Sequence, residues 1–167
     1  GDGHTAVRPY EFFKNYPINL FWFGSDLRII SANEQNKDLL GCRILKIGGK
    51  SVKDAQKLIQ ELIPAKESPT FIQSWSQALL RKAEILAALK ISNKLDQVTI
   101  TVEDAKGNRK KKTLFVNSSN DKLISAYTPV PLFLKYPDKA LWYEWLPGSK
   151  TTLYLNFENY PGWNLLK

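Results

Sequence analysis

Hydrophobic and polar positions in the first third of the chain follow a pattern that predicts paired strands. The apolar runs 20–23 and 27–32 are separated by Gly24-Ser25-Asp26, whose residue types favour a tight turn. A third run, 43–47, stops at Gly48-Gly49, where the missing side chains permit a second turn. The pattern therefore predicts three strands in succession.

From residue 51 onward the apolar positions recur at helical spacing. Ser51 can cap a helix whose apolar residues share one face as far as Leu62, and Pro64 ends it. Ser68-Pro69 then begins a second helical stretch, 68–91, because proline is favoured at the first helical position. The polar pair Arg81-Lys82 divides this stretch, which is predicted as a helical insertion of two short helices.

Strict alternation returns in the second half of the chain. Val98, Ile100 and Val102 alternate with polar residues, and a turn at 104–108 leads to a partner strand at 112–116. The runs 141–145 and 153–157 flank a Pro147-Gly148-Ser149 turn and predict a hairpin. We thus expect an α+β protein in three parts: an N-terminal segment, 1–15; a β-rich module with the helical insertion 68–91, 16–118; and a last segment, 119–167.

The composition is that of a globular protein. The chain has 167 residues, of which 43% are hydrophobic and 24% charged, so disordered and fibrous classes are excluded. No apolar run approaches the roughly 18 residues that a membrane span needs, and the first residues do not have the pattern expected of a signal peptide. Because methionine is absent even from position 1, the sequence is expected to be a piece of a longer protein.

The net charge of +8, from 24 Lys and Arg against 16 Asp and Glu, raises the question of an anionic partner. The densest basic run is Arg109-Lys110-Lys111-Lys112, which lies between a turn and apolar residues. That placement is typical of the solvated end of a strand, so no nucleic acid is expected as a partner. The alternative is a patch that binds polyanions, which salt-dependent retention on heparin would probe.

Few residues are candidates for chemistry. A phosphate-binding glycine loop, a zinc-protease helix, a glycine-flanked serine and a dinucleotide-binding motif are all absent. A single Cys42 and a single His4 exclude an intrachain disulfide and give no zinc-ligand spacing, and no metal or cofactor is expected. His4 lies in a loop and is either a general base or a structural histidine. Cys42 could pair with His4 as a thiol nucleophile, but its apolar context favours a buried core cysteine.

The order of several motifs along the whole chain is more specific than any one of them. Gly1-Asp2-Gly3-His4-Thr5 comes first, Gly41-Cys42-Arg43-Ile44-Leu45-Lys46-Ile47-Gly48-Gly49-Lys50-Ser51-Val52 follows, and the runs 132–139, 142–147 and 152–157 come last. In this order the chain resembles the tail-specific, or C-terminal-processing, serine peptidase family in its broad sense, which includes tricorn-type members. The resemblance implies that the middle segment is a PDZ-like domain and that the hairpin begins an α/β peptidase core.

The same resemblance assigns roles to individual residues. The position that matches the family's histidine base is His4, which is expected to be catalytic in the intact protein. The family's nucleophilic serine lies beyond the hairpin, and none of the serines present has a matching context. The chain alone is therefore expected to be inactive as a peptidase.

A PDZ-like domain binds an extended peptide as an added strand beside an edge strand and a helix. The resemblance places the carboxylate-binding loop at 16–19, the edge strand at 20–23 and the facing helix at 51–62. The implied peptide-binding residues are Ile18, Asn19, Leu20, Phe21, Trp22, Phe23 and Leu58. Because that loop contains no glycine, a degenerate groove covered by the helical insertion is the alternative.

Two functions follow as hypotheses. The first is a non-catalytic portion of a serine-type endopeptidase that binds or positions a peptide or unfolded protein for proteolysis. The second is a stand-alone PDZ-like interaction module without enzymatic activity. Family members are often exported and Asn117-Ser118-Ser119 is a glycosylation acceptor sequence, but such triplets are common by chance. The compartment, the substrate and the oligomeric state stay open.

Overall fold

The computed structural model describes residues 12–63, 68–116, 122–136 and 138–157. The chain divides into two compact units, Gly1–Ala126 and Tyr127–Lys167. Each unit is described by itself.

The first unit contains seven strands, three α-helices and a 3-10 helix within its described residues. In chain order they are β1 (Ile18–Phe23), β2 (Asp26–Ala32), the 3-10 helix (Glu34–Leu39), β3 (Arg43–Ile47), β4 (Lys50–Ser51), α1 (Val52–Gln60), α2 (Pro69–Leu79), α3 (Ala83–Ala88), β5 (Gln97–Glu103), β6 (Arg109–Phe115) and β7 (Ile124–Ser125).

The strands form one antiparallel sheet in the order β1-β2-β3-β5-β6. The short strands β4 and β7 pair with β3 and β2, so the sheet draws on residues beyond 118. Between β4 and β5 the chain leaves the sheet to form its helices. The α+β class, with a mostly antiparallel sheet and a helical insertion, is thereby confirmed, while the finer PDZ-like assignment stays a prediction.

The turn between β3 and β4 depends on two glycines. Gly48 and Gly49 have φ of +56° and +88°, which L side chains rarely adopt. A Cβ on Gly48 would lie 1.7 Å from the carbonyl oxygen of Ile91, whereas one on Gly49 would meet open space. The chain can therefore pass close to residue 91 only because residue 48 has no side chain.

Helix α1 begins as the sequence predicts. The Ser51 hydroxyl accepts a hydrogen bond from Asp54 N at 3.1 Å, which satisfies one of the amides left free at a helix start. The helix ends at Gln60, and Leu62, predicted on its apolar face, lies outside it and is 49% exposed. Proline disfavours helical geometry in the residue before it, here Ile63. This accounts for the end of α1 before Leu62.

The predicted insertion forms two helices, with the break at residues 80–82. Ser68 caps α2 by accepting from Phe71 N at 3.1 Å. Leu79, Ala83 and Leu86 are buried in the same hydrophobic core as the inner face of the sheet. The core therefore lies between the sheet and its helices, and the opposite face of the sheet is left uncovered by them.

The second unit contains the predicted hairpin, with β8 at Leu141–Trp145 and β9 at Leu153–Phe157. Trp142 and Asn156 are partners across the strands and are both buried, and Tyr136 packs edge-on against Trp142 at a ring separation of 5.0 Å. The other face of the hairpin is apolar and about half or more exposed: Leu141, Tyr143, Trp145, Leu153, Leu155 and Phe157. Among its described residues, this unit thus has a small aromatic core on one side of the hairpin.

Candidate functional site

Strand β1 has the position that the sequence predicts for peptide recognition. It pairs with β2 through a two-residue turn that joins Phe23 to Asp26. It comes first in the sheet order, and no described strand pairs with its other side. An edge strand of this kind offers backbone donors and acceptors to an added strand.

The side chains predicted to bind peptide are divided between the two faces of β1. Because successive side chains point to opposite faces, Ile18, Leu20 and Trp22 are buried in the core. Phe21 and Phe23 are 43% and 47% exposed on the outer face, with ring centroids 5.1 Å apart. A peptide beside β1 would therefore meet its backbone and this phenylalanine pair rather than all six predicted side chains.

The helix that packs most extensively along β1 is α2 of the insertion, whereas α1 packs on β3 and β4. Leu58, the predicted α1 contributor, is half-buried against the core. Trp22 Nε1 donates to Ser76 Oγ at 3.1 Å, and Gln73 Nε2 donates to Gly24 O at 2.9 Å. The helix facing the edge is therefore α2. Periodicity could not identify it, since the choice depends on contacts between segments more than 45 residues apart.

Arg81, just beyond α2, reaches the first residues of β1. Its guanidinium donates to Ile18 O at 3.2 Å and to the side-chain oxygen of Asn19. Burial lowers the pKa of Arg81, and no carboxylate in the described ranges forms an ion pair with it. A positive charge without a described counterion thus lies at the start of the edge strand. In the sequence, Arg81 was noticeable only as part of the polar pair Arg81-Lys82 inside an apolar stretch.

The loop predicted to hold a terminal carboxylate is tied into the fold. Tyr16 is buried, which raises its pKa to about 12, and its backbone N donates to Arg81 O at 2.8 Å. Ile18 N donates to Tyr16 O at 2.8 Å, and Pro17 has no amide hydrogen. Three of the four residues in 16–19 therefore have no free amide, so an anion here would depend on the Arg81 guanidinium.

A network of ion pairs crosses the outer face of the sheet. Asp26 accepts from Arg28 at 3.1 Å and from Arg43 at 3.2 Å, and Glu103 accepts from Arg43 at 2.5 Å and from Arg109 at 2.8 Å. Hydrogen bonds from these arginines hold the pKa of both carboxyls below the usual range. The network links four strands. It was not predicted from the sequence, although period-2 alternation places the polar residues of these strands on one face.

The basic run of β6 is split between the two faces of that strand. Lys110 and Lys112 point away from the outer face and bind the carboxylate of Asp38 at 2.6 and 3.1 Å. These bonds lower the pKa of Asp38, with Lys110 contributing most. Arg109 and Lys111 point to the outer face, where their cross-strand neighbours are Glu103 and Thr101. The predicted solvated strand end therefore contains three paired cations and Lys111.

The remaining candidates give no catalytic constellation among the described residues. His4, the predicted base, lies outside them, as do the whole motif 1–5 and the sequon 117–119. Cys42 is buried with its Sγ 3.9 Å from Asp38 O, and burial raises the pKa of the thiol, as expected of a core cysteine. No His, Cys, Asp or Glu cluster suited to a metal occurs within the described ranges.

No helix in the described part of the chain is long and apolar enough to cross a membrane. Comparison of the chain with protein-family models, with curated proteins and with solved structures found no match. The peptidase resemblance therefore remains a hypothesis carried by the motifs of the sequence.

Proposed function

We propose that this chain is a non-catalytic, PDZ-like part of a serine-type peptidase, and that it holds an extended peptide along the free side of β1. The support is the element order, with a strand pair, a glycine turn, a capped helix, a helical insertion and a closing strand pair. The alternative, a stand-alone interaction module, has the same peptide site without the enzyme.

The observation that carries the proposal is that Arg81, which has no counterion among the described residues, lies beside an edge strand. A peptide added to β1 gains backbone hydrogen bonds that do not depend on its sequence. Its terminal carboxylate would lie at the first residues of β1, where the guanidinium can form a bidentate, charge-assisted pair. In the free protein Arg81 is held by the weaker neutral acceptors Ile18 O and Asn19.

The packing of α2 sets a condition on this binding. Gln73 and Arg81 each donate to a carbonyl of the β1 segment, at Gly24 and Ile18. When a peptide strand pairs with β1, these two hydrogen bonds have to be replaced by hydrogen bonds to the peptide. Moderate affinity follows, because part of the peptide's hydrogen bonding replaces bonds already made.

The exposed apolar face of the β8–β9 hairpin supports the proposal that this chain is part of a peptidase. A two-stranded hairpin is marginally stable by itself, and a contiguous apolar face of six large side chains is typical of an interaction surface. In the proposed parent protein this hairpin begins the sheet of the peptidase core, and His4 acts there as general base to a serine outside this sequence.

Peptide binding can be tested with a library of fluorescent peptides, each made with a free C-terminal carboxylate and as the amide. We expect the free acids to bind at least tenfold more tightly than the amides. Arg81→Met keeps a long side chain and should abolish that preference, while Arg28→Met, on the outer face, should leave it unchanged. Equal binding of acids and amides by the unmutated protein would contradict the carboxylate site, whatever the variants do.

A further inference from the structure

The outer face of the sheet carries a continuous row of side chains across the five strands β1, β2, β3, β5 and β6. Phe21 pairs with Arg28, Arg28 with Arg43, Arg43 with Glu103 and Glu103 with Arg109. Cross-strand partners lie on the same face, so an aromatic ring at one edge and three guanidinium groups share one surface. We call this surface, with the neighbouring row below, the cationic face.

The neighbouring row passes through Lys46, Thr101 and Lys111, which are partners across β3, β5 and β6. These three residues, with Leu45 and Thr99 among others, line a cleft of about 480 Å³. Lys46 and Lys111 are separated by two strand spacings, about 10 Å. The cleft therefore has an ammonium group on each side and hydroxyl groups between them.

The charges of this face do not balance. Its three arginines share only Asp26 and Glu103, and Lys46 and Lys111 form no ion pair with any described residue. Five cations and two carboxylates leave three positive charges uncompensated. The face therefore carries a net charge of about +3, part of the net charge of +8 of the whole chain, and attracts anionic ligands.

We infer that the cationic face binds single-stranded nucleic acid, with phosphates at the Lys46–Lys111 cleft and bases stacked on Phe21 and Phe23. Proteins that bind single strands combine a basic groove with exposed aromatic rings, because every base has a face that can stack. The phenylalanine pair supplies a stacking surface that inorganic polyphosphate would not use. The concave cleft suits a chain of phosphates better than a flat bilayer surface.

The inference rests on the outer face of the sheet and does not use Arg81 or the free side of β1, but it shares Phe21 and Phe23 with the peptide site proposed above. It also differs from the expectation from sequence that no nucleic acid binds. That expectation rested on the run Arg109-Lys110-Lys111-Lys112, whereas the cationic face takes only alternate members of the run and adds cations from β2 and β3.

The test is fluorescence anisotropy with a labelled 12-nucleotide single strand, measured over a series of salt concentrations. With three phosphates contacted, the logarithm of the binding constant should fall with the logarithm of salt with a slope of about −2. The double variant Lys46→Gln/Lys111→Gln should weaken binding at least tenfold and reduce the slope to about −0.7. The matched control Lys53→Gln/Lys57→Gln, on the exposed side of α1, removes the same charge and should change the affinity less than twofold.

A second pair of measurements separates nucleic acid from other polyanions. Phe21→Ala/Phe23→Ala should weaken binding about tenfold without changing the salt slope, since stacking carries no charge. Inorganic polyphosphate of matched charge and anionic vesicles should compete at least tenfold less well than the unlabelled oligonucleotide. Equal weakening by the two lysine pairs would reduce the effect to overall charge and overturn the site. Full competition by polyphosphate, with the phenylalanine variants unchanged, would overturn nucleic acid as the ligand.

Discussion

At the scale of single residues, the neighbouring glycines of the β3–β4 turn have different reasons to be glycine. Both have positive φ, but only Gly48 lies directly against the backbone of Ile91. A backbone neighbour cannot rotate away as a side chain can. A methyl group at 48 therefore has to displace the segment that follows α3, whereas one at 49 has only conformational strain to overcome.

We predict that Gly48→Ala lowers the free energy of unfolding by at least about 3 kcal/mol, because steric overlap adds to the strain of a left-handed conformation. Gly49→Ala, the matched control, should cost about 1–2 kcal/mol from strain alone. Urea denaturation of both variants measures the difference. Equal losses would mean that residue 48 does not lie against residue 91 in solution.

Acid sensitivity is also decided by single residues. The pKa values of Asp26, Asp38 and Glu103 are held low in the folded protein by their basic partners. The unfolded chain therefore binds more protons than the folded chain in the acid range. Stability from these groups is complete above the unfolded pKa values, near 4, and is lost as the pH falls through the lower folded values.

We predict that the melting temperature is stable near neutral pH and falls steeply below about pH 4. Glu103→Gln should be less stable than the unmutated protein at pH 7, because Arg43 and Arg109 lose their shared carboxylate. The difference in stability between the two proteins should decrease as the pH falls and Glu103 takes up a proton. A difference that persists undiminished at pH 2 would show that the ion pairs are not its cause.

At the scale of elements, the docking of α2 on β1 is the contact that shapes the candidate peptide site. Ser76 is fully buried and joins the two elements, since its hydroxyl accepts from Trp22 Nε1 and donates to Gln73 O at 3.0 Å. Removing the hydroxyl leaves the indole N–H buried without an acceptor. The resulting loss of stability exceeds the net contribution of a typical hydrogen bond.

Ser76→Ala should therefore lower the free energy of unfolding by about 1–3 kcal/mol. Ser74→Ala, two residues earlier on the exposed side of the same helix, should be neutral or stabilise by up to about 0.5 kcal/mol, because alanine is the better helix former. Chemical denaturation followed by tryptophan fluorescence measures both variants. A Ser76 variant as stable as the Ser74 variant would contradict the contact between α2 and β1.

At the scale of the whole molecule, the proposed function separates peptide binding from catalysis. Acyl transfer needs a nucleophile, a base and oxyanion donors in one place. None of the serines in this sequence has the context of the family's nucleophile, and a histidine base alone cannot supply the rate. The chain by itself is therefore expected to bind peptide without cleaving it.

We predict no hydrolysis of unfolded protein or fluorogenic peptides by this chain above a buffer control. In the proposed full-length enzyme, His4→Ala should lower kcat by about a hundredfold, the usual contribution of a positioned base. Turnover by the chain alone that disappears in His4→Ala would contradict the assignment and direct attention to Cys42. Full activity of the His4 variant of the full-length enzyme would leave His4 a structural residue.

The features that could be predicted from the sequence are those that depend on near neighbours along the chain. Alternation identified β5, apolar runs bounded by turn residues identified β3 and the β8–β9 hairpin, and Ser51 and Ser68 marked the starts of α1 and α2. These follow from backbone conformation and from hydrogen bonds within a few residues, which a linear pattern records.

Contacts between distant segments became known from the three-dimensional structure. It brought α2 rather than α1 alongside β1, set Arg81 at the start of the edge strand, and paired Lys110 and Lys112 with Asp38, more than 70 residues away in sequence. It also collected scattered cations from β2, β3 and β6 on the cationic face. Such contacts depend on the register and packing of distant segments, and no periodicity within one segment contains that information.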